Sequence, residues 1–411
     1  MADPGPAVDA ARVIADLREL DRRTGGEGGA RRVAWGEEWR AARAWFAELA
    51  GELGLEPRRD AAGNVRFTLA GEERPGVAVG SHLDSVPAGG WLDGALGAMA
   101  GLGVVRAWAE SGERPPRDLV LVDWADEEGA RFGYSLFGSS AFAGTLDADA
   151  VAGLRDHDGV ELADALAENG VELAAAGEAG AWRGEIGAYL ELHIEQGPVL
   201  EAAGLPVAAV DGCVGIERHR LRFTGQASHA GTTPMELRHD AGLAAAETAL
   251  AVERIAKAHG GRGTAGELSL RPGIITAVAG GAELGVDLRH GDAAPLARMR
   301  DHVLAAAEAA ARVHGSSVEA GPVFRIGPTR FDPELVVVAR EACRDVAGTD
   351  RVLTSGALHD AANAARVVPA AMVFVASRAG LSHAPEEDSA EADLTLGIEA
   401  FGMVANRALR R

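Results

Sequence analysis

Apolar runs alternate with helical patterns through the first part of the chain. Residues 77–83 and 119–125 are nearly continuous apolar runs, which predict strands buried on both faces. Between them, residues 94–111 have a helical pattern rich in Ala and Gly, so this helix is expected to lie close on a sheet. The alternation favours an α/β domain with a mixed, mostly parallel sheet flanked by helices, whose ligands bind at the carboxyl ends of strands. The same patterns predict helices at 8–17, at 37–53, from 333 and from 389, strands at 64–69, 189–196 and 371–375, and helices with surface loops at 146–185.

The pattern changes after Asp211. The order of predicted elements becomes β-α-β-β-α-β, which is typical of a compact four-stranded α+β (ferredoxin-like) domain with two helices on one face. We therefore predict an inserted domain at 212–327, within a main domain formed by residues 1–211 and 328–411. Its elements are strands at 214–224, 268–278, 283–289 and 318–326, helices at 238–259 and 292–313, and a loop with the sequence GQASHAGTTP.

The composition excludes several classes of function. Of the 411 residues, 47% are hydrophobic and 25% charged, as in soluble globular proteins. The net charge of -21 argues against a nucleic-acid partner, because such a chain cannot neutralise phosphates in bulk. Cys213 and Cys343 form no metal-like pair and fit a reducing compartment. The N-terminus lacks the basic and apolar regions of a signal peptide, and no apolar run has the ~18 residues of a membrane span, so we expect a cytoplasmic protein with no membrane partner.

Potential metal ligands follow the predicted apolar strands at four places. They are His82 with Asp93, the acidic run 126–128, His193 and His383. Each is weak evidence alone, because a single His beside a core strand is more often a hydrogen-bonded structural residue, and an acidic run can be a solvated turn. Their joint occurrence at the carboxyl edge of one predicted sheet indicates a metal site instead.

The types of these residues suggest a two-metal hydrolytic centre. Imidazole and carboxylate ligands suit zinc, manganese, cobalt or nickel, and a carboxylate is able to bridge two ions. Two such ions about 4 Å apart can share a hydroxide nucleophile at neutral pH, while one of them polarises a carbonyl. The chemistry also needs a general base that is not a ligand. Adjacent Glu127 and Glu128 can supply a base and a ligand, because consecutive side chains leaving a strand point in different directions.

Six motifs, in order along nearly the whole chain from about residue 10, carry a resemblance to a known family. The chain closely resembles the carbamoylase and allantoate-amidohydrolase branch (hydantoinase/carbamoylase-type amidases) of the di-metal aminoacylase-type metallopeptidase family. This resemblance implies a catalytic domain interrupted by a dimerisation or lid domain, and hence a homodimer. The motifs are GSHLDSVPAGGWLDGALG, DEEGARFGYSLFGS, LELHIEQGPVLE, GQASHAGTTPMELRHDA, SGALHDAA and VFVASRAGLSHAPEE.

The resemblance implies a ligand set for two metals. His82, Asp93 and His193 would bind one ion, and Asp93, Glu128 and His383 the other, so Asp93 would be the bridge. The His at position 193 resembles the amidohydrolase branch, because peptidases and deacylases of the wider family usually have a carboxylate there.

Two further acidic residues receive roles from the same resemblance. Glu127 would be the general base, which takes a proton from the bridging water and passes it to the leaving nitrogen. Asp84 follows His82 by two residues on the same strand face, and it would orient the imidazole from behind.

Three residues are implicated in substrate binding by the family pattern. They are Gln196, His229 and Arg289. His229 would act in the active site of the partner subunit, where it can stabilise a tetrahedral oxyanion. Arg289 would bind the substrate carboxylate with its planar guanidinium. Outside the family pattern, a loop His is commonly a turn residue, and an Arg at a strand end is commonly part of a surface ion pair.

Two positions depart from the family pattern near the expected substrate pocket. Thr276 stands where the family usually has an Asn that helps to bind the substrate carboxylate, and it offers one hydroxyl in place of an amide. Leu358 stands where the family usually has Gly. His359 and Asp360 are also expected to line the site. These departures concern the substrate and do not touch the metal ligands.

The leading hypothesis is a two-metal amidohydrolase that cleaves a linear C–N bond of a ureido or amide group on a small carboxylate substrate. An N-carbamoyl-L-amino acid hydrolase of this kind releases the amino acid, ammonia and carbon dioxide. An alternative keeps the metals but acts on N-acyl amino acids, dipeptides or a pathway-specific amide. A non-catalytic binding protein is disfavoured, because neither a ligand nor the base is missing.

Overall fold

The computed structural model describes residues 5–26 and 28–411, and their contacts form two units. One, here called the split unit, consists of Met1–Gly212 and Arg330–Arg411. The other, the inserted unit, consists of Cys213–Thr329.

Helices and strands account for most of the described residues. Among the described residues, no helix combines the length and the apolar composition needed to cross a membrane. The helices are α1 (Ala10–Thr24), α2 (Glu37–Gly51), α3 (Ala95–Ser111), α4 (Phe137–Ala143), α5 (Ala148–Val151), α6 (Leu162–Glu168), α7 (Val199–Ala203), α8 (Ala241–His259), α9 (Ala293–Val313), α10 (Pro333–Ala347), α11 (Asp360–Ala364) and α12 (Glu391–Ala408), with 3₁₀ helices at Leu173–Glu185, Met235–Leu237 and Arg378–Gly380. The strands are β1 (Arg58–Arg59), β2 (Val65–Leu69), β3 (Glu73–His82), β4 (Arg117–Trp124), β5 (Ile186–Ile194), β6 (Val207–Cys213), β7 (Gly215–Thr224), β8 (Ser228–His229), β9 (Arg262–Arg271), β10 (Ala277–Val278), β11 (Gly281–His290), β12 (Ser317–Ile326), β13 (Thr329–Arg330), β14 (Val352–Ser355) and β15 (Ala370–Val375).

The split unit is built on a twisted sheet with the strand order β1-β2-β4-β3-β5-β15-β6-β13, and β14 pairs with β6. The central strands β4, β3, β5 and β15 are parallel to one another, whereas β2 and β6 pair antiparallel with β4 and β15. One core of buried residues joins α1, α3, α10 and α12 to this sheet. The predicted mixed, mostly parallel sheet flanked by helices is therefore confirmed.

Helix α3 lies as close to the sheet as its Ala- and Gly-rich sequence predicts. A Cβ at Gly97 would be 2.4 Å from the carbonyl oxygen of Leu192, so only a glycine fits there. At Gly94, just before the helix, φ is 65° and a Cβ would be 2.3 Å from the His82 ring. These two glycines hold the start of α3 against the carboxyl ends of β3 and β5.

The inserted unit is an antiparallel sheet with the order β12-β7-β11-β9 and two helices. Alternate residues of β7 and β11 are buried against α8 and α9, which cover one face of the sheet. Asp240 accepts hydrogen bonds from the backbone N–H groups of Gly242 and Leu243, so α8 begins at Ala241, three residues later than predicted. A role of this unit in dimerisation stays a prediction.

Several parts of the secondary structure differ from the sequence prediction. The predicted strand 268–278 is wrong in its second half, because β9 ends at Arg271 and Gly273 takes a left-handed turn with φ 72°. Pro272 also lacks the N–H that would continue the ladder. Ala277–Val278 instead pairs with Ser228–His229, within the segment predicted as a loop. The short strand β6 was not predicted, since brief apolar runs do not distinguish strand from helix.

Candidate metal centre

The carboxyl ends of three parallel strands bring the predicted ligands to one edge of the sheet. His82 ends β3, Glu127 and Glu128 follow β4, and His193 is the penultimate residue of β5. His383 lies in the loop after β15, the next strand of the sheet. Because parallel strands end at a common edge, side chains that are distant in sequence meet there.

His82, Asp93 and His193 form the first of two adjoining groups, and all three side chains are buried. Asp93 Oδ1 lies 3.2 Å from His193 Nε2 and 3.8 Å from His82 Nε2. The Nδ1–H of His82 donates to the carbonyl oxygen of Asp84 at 3.1 Å, and that of His193 to the carbonyl oxygen of Ile194 at 2.9 Å. Because each Nδ1–H is bound to a carbonyl oxygen, Nε2 is the nitrogen of each ring that faces the centre, and it can bind a metal once it has lost its proton.

Asp93, Glu128 and His383 form the second group. His383 Nε2 lies 3.3 Å from Asp93 Oδ2 and 3.4 Å from Glu128 Oε2. The other carboxylate oxygen of Glu128 is buried and has no hydrogen-bond partner among the described residues. Asp93 therefore directs one oxygen into each group, and the Glu128 oxygen that has no hydrogen bond among the described residues is a candidate ligand atom. This donor set fits two divalent cations that share Asp93.

A third group of possible ligands contains Glu191, His193 and His359. Its atoms already have partners: Glu191 accepts from Ser81 Oγ at 2.6 Å and from the N–H of Ala361 at 3.0 Å. His359 Nε2 lies 2.9 Å from the hydroxyl of Ser355. Since His193 Nε2 already faces Asp93, this third group is better explained as a buried hydrogen-bonded support behind the first one.

Glu127 lies beside both groups but belongs to neither. Its Oε2 is 3.8 Å from His82 Nε2, and the side chain is buried. Asp84 holds the turn that carries it, because the carboxylate accepts the N–H of Glu127 at 3.2 Å and that of Glu128 at 3.0 Å. The carboxylate of Asp84 is also 3.5 Å from His82 Nδ1, so this residue supports the imidazole and the acidic turn together.

Asp126 has a structural task that the sequence did not reveal. Its φ of 57° places it in the left-handed region, where non-glycine residues are uncommon. Its carboxylate accepts from Trp35 Nε1 at 2.6 Å and from the N–H of Gly129 at 3.1 Å. Of the acidic run 126–128, the first member therefore forms the turn, and the other two face the candidate centre.

Burial and neighbouring charges shift the pKa values of the side chains in the candidate centre. Burial raises the pKa of Glu127 well above its usual range. The adjacent His82 lowers this pKa, and the Glu128 carboxylate raises it further. Burial and the Asp93 carboxylate raise the pKa of Glu128 to about 7. The hydrogen bond to Asp93 raises the pKa of His383 to about 9. Without a metal, the centre therefore holds protons at neutral pH.

We expect metal binding to release protons, with an affinity that increases from pH 6 to pH 9. His383, with a pKa of about 9, and Glu128, with a pKa of about 7, are protonated below those values and must lose the proton to bind a cation. At pH values below the pKa of a ligand, the metal affinity increases about tenfold per pH unit for each proton that the metal displaces. Calorimetric titrations in buffers of different ionisation enthalpy measure this release, and an affinity unchanged across this range would contradict it.

Two of the predicted substrate residues lie at or behind the centre. Gln196 donates from Nε2 to Asp93 Oδ2 at 2.8 Å, and its Oε1 is buried with no partner among the described residues. Its φ of 56° is left-handed. His359 is buried, and its ring packs edge-on against that of His193 with centroids 4.4 Å apart. Gln196 thus adjoins the predicted bridging ligand, whereas His359 supports a ligand from behind.

The remaining predicted substrate residues belong to the inserted unit. His229 is exposed, and its Nδ1 accepts from the N–H groups of Gly231 at 3.1 Å and Thr232 at 3.2 Å. The imidazole proton is therefore on Nε2, which is a hydrogen-bond donor. Thr276 is exposed beside it, and its carbonyl oxygen accepts the N–H of Ala230 at 2.9 Å. The sequence placed His229 in a loop, but it did not reveal the short β8–β10 ladder that contains His229 and begins directly after Thr276.

Arg289 lies at the other end of the inserted sheet. Its Nε donates to Asp287 Oδ1 at 2.8 Å and one terminal nitrogen to Oδ2 at 3.2 Å. Asp287 also accepts from Arg218, and these two cations lower the pKa of Asp287 despite its partial burial. Sequence reasoning missed Asp287, although the two-residue spacing on one strand face could have indicated it.

Comparisons with known proteins agree on one family. The sequence model of "Peptidase family M20/M25/M40" matches residues 78–407. The chain is 37% identical over 395 residues to an N-carbamoyl-L-amino acid amidohydrolase of Geobacillus stearothermophilus, and this alignment covers 94% of the chain and 95% of the relative. It is 31% identical over 381 residues to the allantoate amidohydrolase of Bacillus subtilis (strain 168), with 91% and 92% covered.

A solved structure also matches over nearly the whole length. It is the crystal structure of an amidase of the hydantoinase/carbamoylase family from Burkholderia multivorans, with a TM-score of 0.91 and 32% sequence identity. The superposition covers 98% of this chain and 99% of that chain.

Proposed function

The chain belongs to the peptidase family M20/M25/M40, and we propose from this membership that it is a two-metal amidohydrolase of N-carbamoyl-L-amino acids. The resemblance to carbamoylases and allantoate amidohydrolases that the six motifs predicted is confirmed by the relatives. The substrate would be a small carboxylate with a linear ureido or amide group, and the amidohydrolase of Geobacillus stearothermophilus supports the N-carbamoyl-L-amino acid.

A single observation carries this proposal: the two carboxylate oxygens of Asp93 face different groups of predicted ligands. Oδ1 faces His82 and His193, and Oδ2 faces His383. Glu128, one oxygen of which has no hydrogen-bond partner among the described residues, completes the second set. We assign His82, Asp93 and His193 to one cation and Asp93, Glu128 and His383 to the other, with Zn²⁺ or Mn²⁺ as the first candidates and Co²⁺ or Ni²⁺ as others.

When bound, two divalent cations at such a site lower the pKa of water and polarise the carbonyl of the substrate. Glu127 then acts as the general base, because it is buried beside both ligand groups and neither group contains it. It takes a proton from the attacking water as the C–O bond forms, and it returns the proton to the leaving nitrogen as the C–N bond breaks. Its burial beside the centre and outside both ligand groups suits it to carry the proton between the two steps. For an N-carbamoyl amino acid, one water yields the amino acid, ammonia and carbon dioxide.

The inserted unit would supply the remaining substrate contacts. The Nε2–H donor of His229 suits an oxyanion, and the guanidinium of Arg289 suits the substrate carboxylate. Thr276 lies beside His229 and would contribute a hydroxyl. In the split unit, Gln196 adjoins Asp93 and would contact the ureido group, and His359 supports the pocket from behind.

The positions of His229 and Arg289 support an active site shared between two copies of the chain. The β8–β10 ladder that contains His229 lies just before Gly281, the first residue of β11. Arg289 is the ninth residue of β11, and it pairs with Ile216 near the point where the chain enters the inserted unit. Eight residues of strand span about 27 Å, which is far longer than one small substrate. If both residues serve one substrate molecule, they must therefore come from different subunits, and we propose a homodimer in which His229 acts in the partner's site.

The edge strand β9 suits the contact between the copies. It is exposed along most of its length, and among the described residues no strand pairs with its outer edge. Leu268 and Leu270 on this strand and Leu243 and Leu250 on the adjacent helix α8 are exposed. An open strand edge beside exposed leucines suits pairing with the same edge of a second copy, which would join the two sheets.

We expect Leu268→Asp with Leu270→Asp to convert the dimer into a monomer. Two buried charges would oppose the apolar contact, and hydrolysis would fall about 10²–10³-fold because the partner's His229 is lost from the site. Sedimentation velocity and ammonia release measure the two effects. The matched control is Val323→Asp on β12 at the opposite edge, where Val323 is 62% exposed and should leave the dimer intact. A wild-type chain that sediments as a monomer would contradict the shared site.

A second candidate substrate class shares this centre. The allantoate amidohydrolase relative favours a ureido compound other than a carbamoyl amino acid. The departures at Thr276 and Leu358 instead favour N-acyl amino acids, dipeptides or a pathway-specific amide, which would need the same base and metals. A panel of N-carbamoyl-L-amino acids, allantoate and N-acetyl-L-amino acids separates these classes. We expect ammonia from the N-carbamoyl compounds with the highest kcat/KM. Cleavage confined to the acetyl compounds would favour the alternative.

A further inference from the structure

We propose that Glu387 is a positioning residue that holds the loops of two predicted metal ligands, Asp93 and His383, in register. Glu387 is 1% exposed and lies in the GLSHAPEE motif, four residues after His383. Neither ligand group contains it. The inference rests on the proposed two-metal centre, and it concerns how the chain builds that centre before a cation binds.

Each oxygen of Glu387 binds a different loop. Oε1 accepts the N–H of Leu92 at 3.2 Å and that of Asp93 at 3.0 Å. Oε2 accepts the hydroxyl of Ser382 at 2.8 Å and the N–H of His383 at 3.3 Å. The loop after β3 and the loop after β15 are almost 300 residues apart in sequence, and one buried carboxylate connects their backbones at the two ligands.

Three features of these loops indicate why a residue must fix their positions. His383 has φ 58°, a left-handed conformation that is uncommon for a non-glycine residue and persists only where surrounding contacts enforce it. Ser382 Oγ also lies 3.0 Å from Asp93 Oδ2, so the contact with Glu387 fixes a hydroxyl beside the bridging carboxylate. On the other side, a Cβ at Gly90 would lie 2.1 Å from Glu387 Oε1, so the loop after β3 packs directly on this carboxylate.

The asymmetry of the contacts gives the inference a specific consequence. In Glu387→Gln, the amide oxygen can still accept from Leu92 and Asp93, whereas the NH₂ group then faces the N–H of His383. The reverse orientation would oppose two N–H groups and is less favourable. The Gln variant should therefore weaken the site of His383 and spare the site of His82 and His193.

The experiment counts metal ions and measures their affinities, and it does not depend on turnover. We expect the wild-type protein to bind two Zn²⁺ per chain, and Glu387→Gln to bind one with unchanged affinity and the second about 10–100-fold more weakly. Isothermal titration and elemental analysis after dialysis report both sites. Glu386→Gln is the matched control, because Glu386 is exposed and adjacent, and it should bind both ions as the wild type does.

Gly90→Ala provides a second variant that displaces the carboxylate from the other side. We expect it to lower the affinity of the His383 site as well, with the fold checked by circular dichroism. If the wild type binds two ions and Glu387→Gln binds both with wild-type affinity, the inference is overturned and the proposed function stands. Equal weakening of both ions together with a lower melting temperature would also overturn it, in favour of a purely structural role. A wild-type chain that binds no metal would overturn the inference and the proposed function together.

Discussion

Glu127→Gln is expected to lower kcat by at least 10²–10⁴-fold while both metal ions remain bound. The amide has nearly the shape of the carboxylate but cannot accept a proton from water or deliver one to the leaving nitrogen. Because Glu127 lies beside the ligand groups and belongs to neither, the substitution removes no predicted ligand. Ammonia release from an N-carbamoyl-L-amino acid gives kcat, and elemental analysis gives the metal content of the same sample.

The adjacent residue provides the matched comparison for this prediction. Glu128→Gln removes a ligand of the second group, so it should lose activity together with one metal ion. The contrast distinguishes a base from a ligand at neighbouring positions on one turn. A Glu127→Gln enzyme with a near wild-type rate would show that another group transfers the proton.

Asp93→Asn is expected to disable both metal sites at once. Within the part of the chain that the structure describes, Asp93 alone is shared by the two adjoining groups, and its oxygens face His193 Nε2 at 3.2 Å and His383 Nε2 at 3.3 Å. The amide replaces one oxygen with an NH₂ group and removes the negative charge between the two cations, so neither set keeps its bridging ligand. We expect the metal content to fall from two ions per chain toward zero, and ammonia release to fall below detection.

His383→Ala is the comparison for Asp93→Asn, because it removes a predicted ligand of one group only. His383 belongs to the second group alone, so its loss should leave about one ion per chain in the site of His82 and His193. Retention of one tightly bound ion by Asp93→Asn would show that Asp93 serves a single site.

The sheet edge that carries the predicted ligands could be predicted, because the apolar pattern of a few strands identifies them in the sequence. The apolar strands ending near His82 and His193 are buried on both faces, and parallel strands of this kind deliver their carboxyl ends to one edge. The two short helices and the 3₁₀ segment between 146 and 185 were expected only as helices and loops, because this region has little periodicity. Periodicity therefore located the ligands on strands better than it described the connections.

The loops that complete the centre could not be derived from local patterns. His383, Gln196 and Asp126 all have left-handed backbones, with φ of 58°, 56° and 57°, which their residue types do not specify. These conformations depend on tertiary contacts, such as those of Glu387 with the N–H of His383 and of Trp35 with Asp126. Likewise, the ladder that contains His229 and follows Thr276 depends on a turn at Pro272, where the predicted strand ends early.

The most direct test of the two-metal amidohydrolase is ammonia release as a function of metal equivalents. The protein is stripped with a chelator, and Zn²⁺ or Mn²⁺ is added back in steps with an N-carbamoyl-L-amino acid as substrate. We predict no ammonia without metal and full activity at two equivalents per chain, with the Glu127→Gln protein inactive at the same metal content. Full ammonia release by the stripped protein, or none from any ureido compound at saturating metal, would contradict the account.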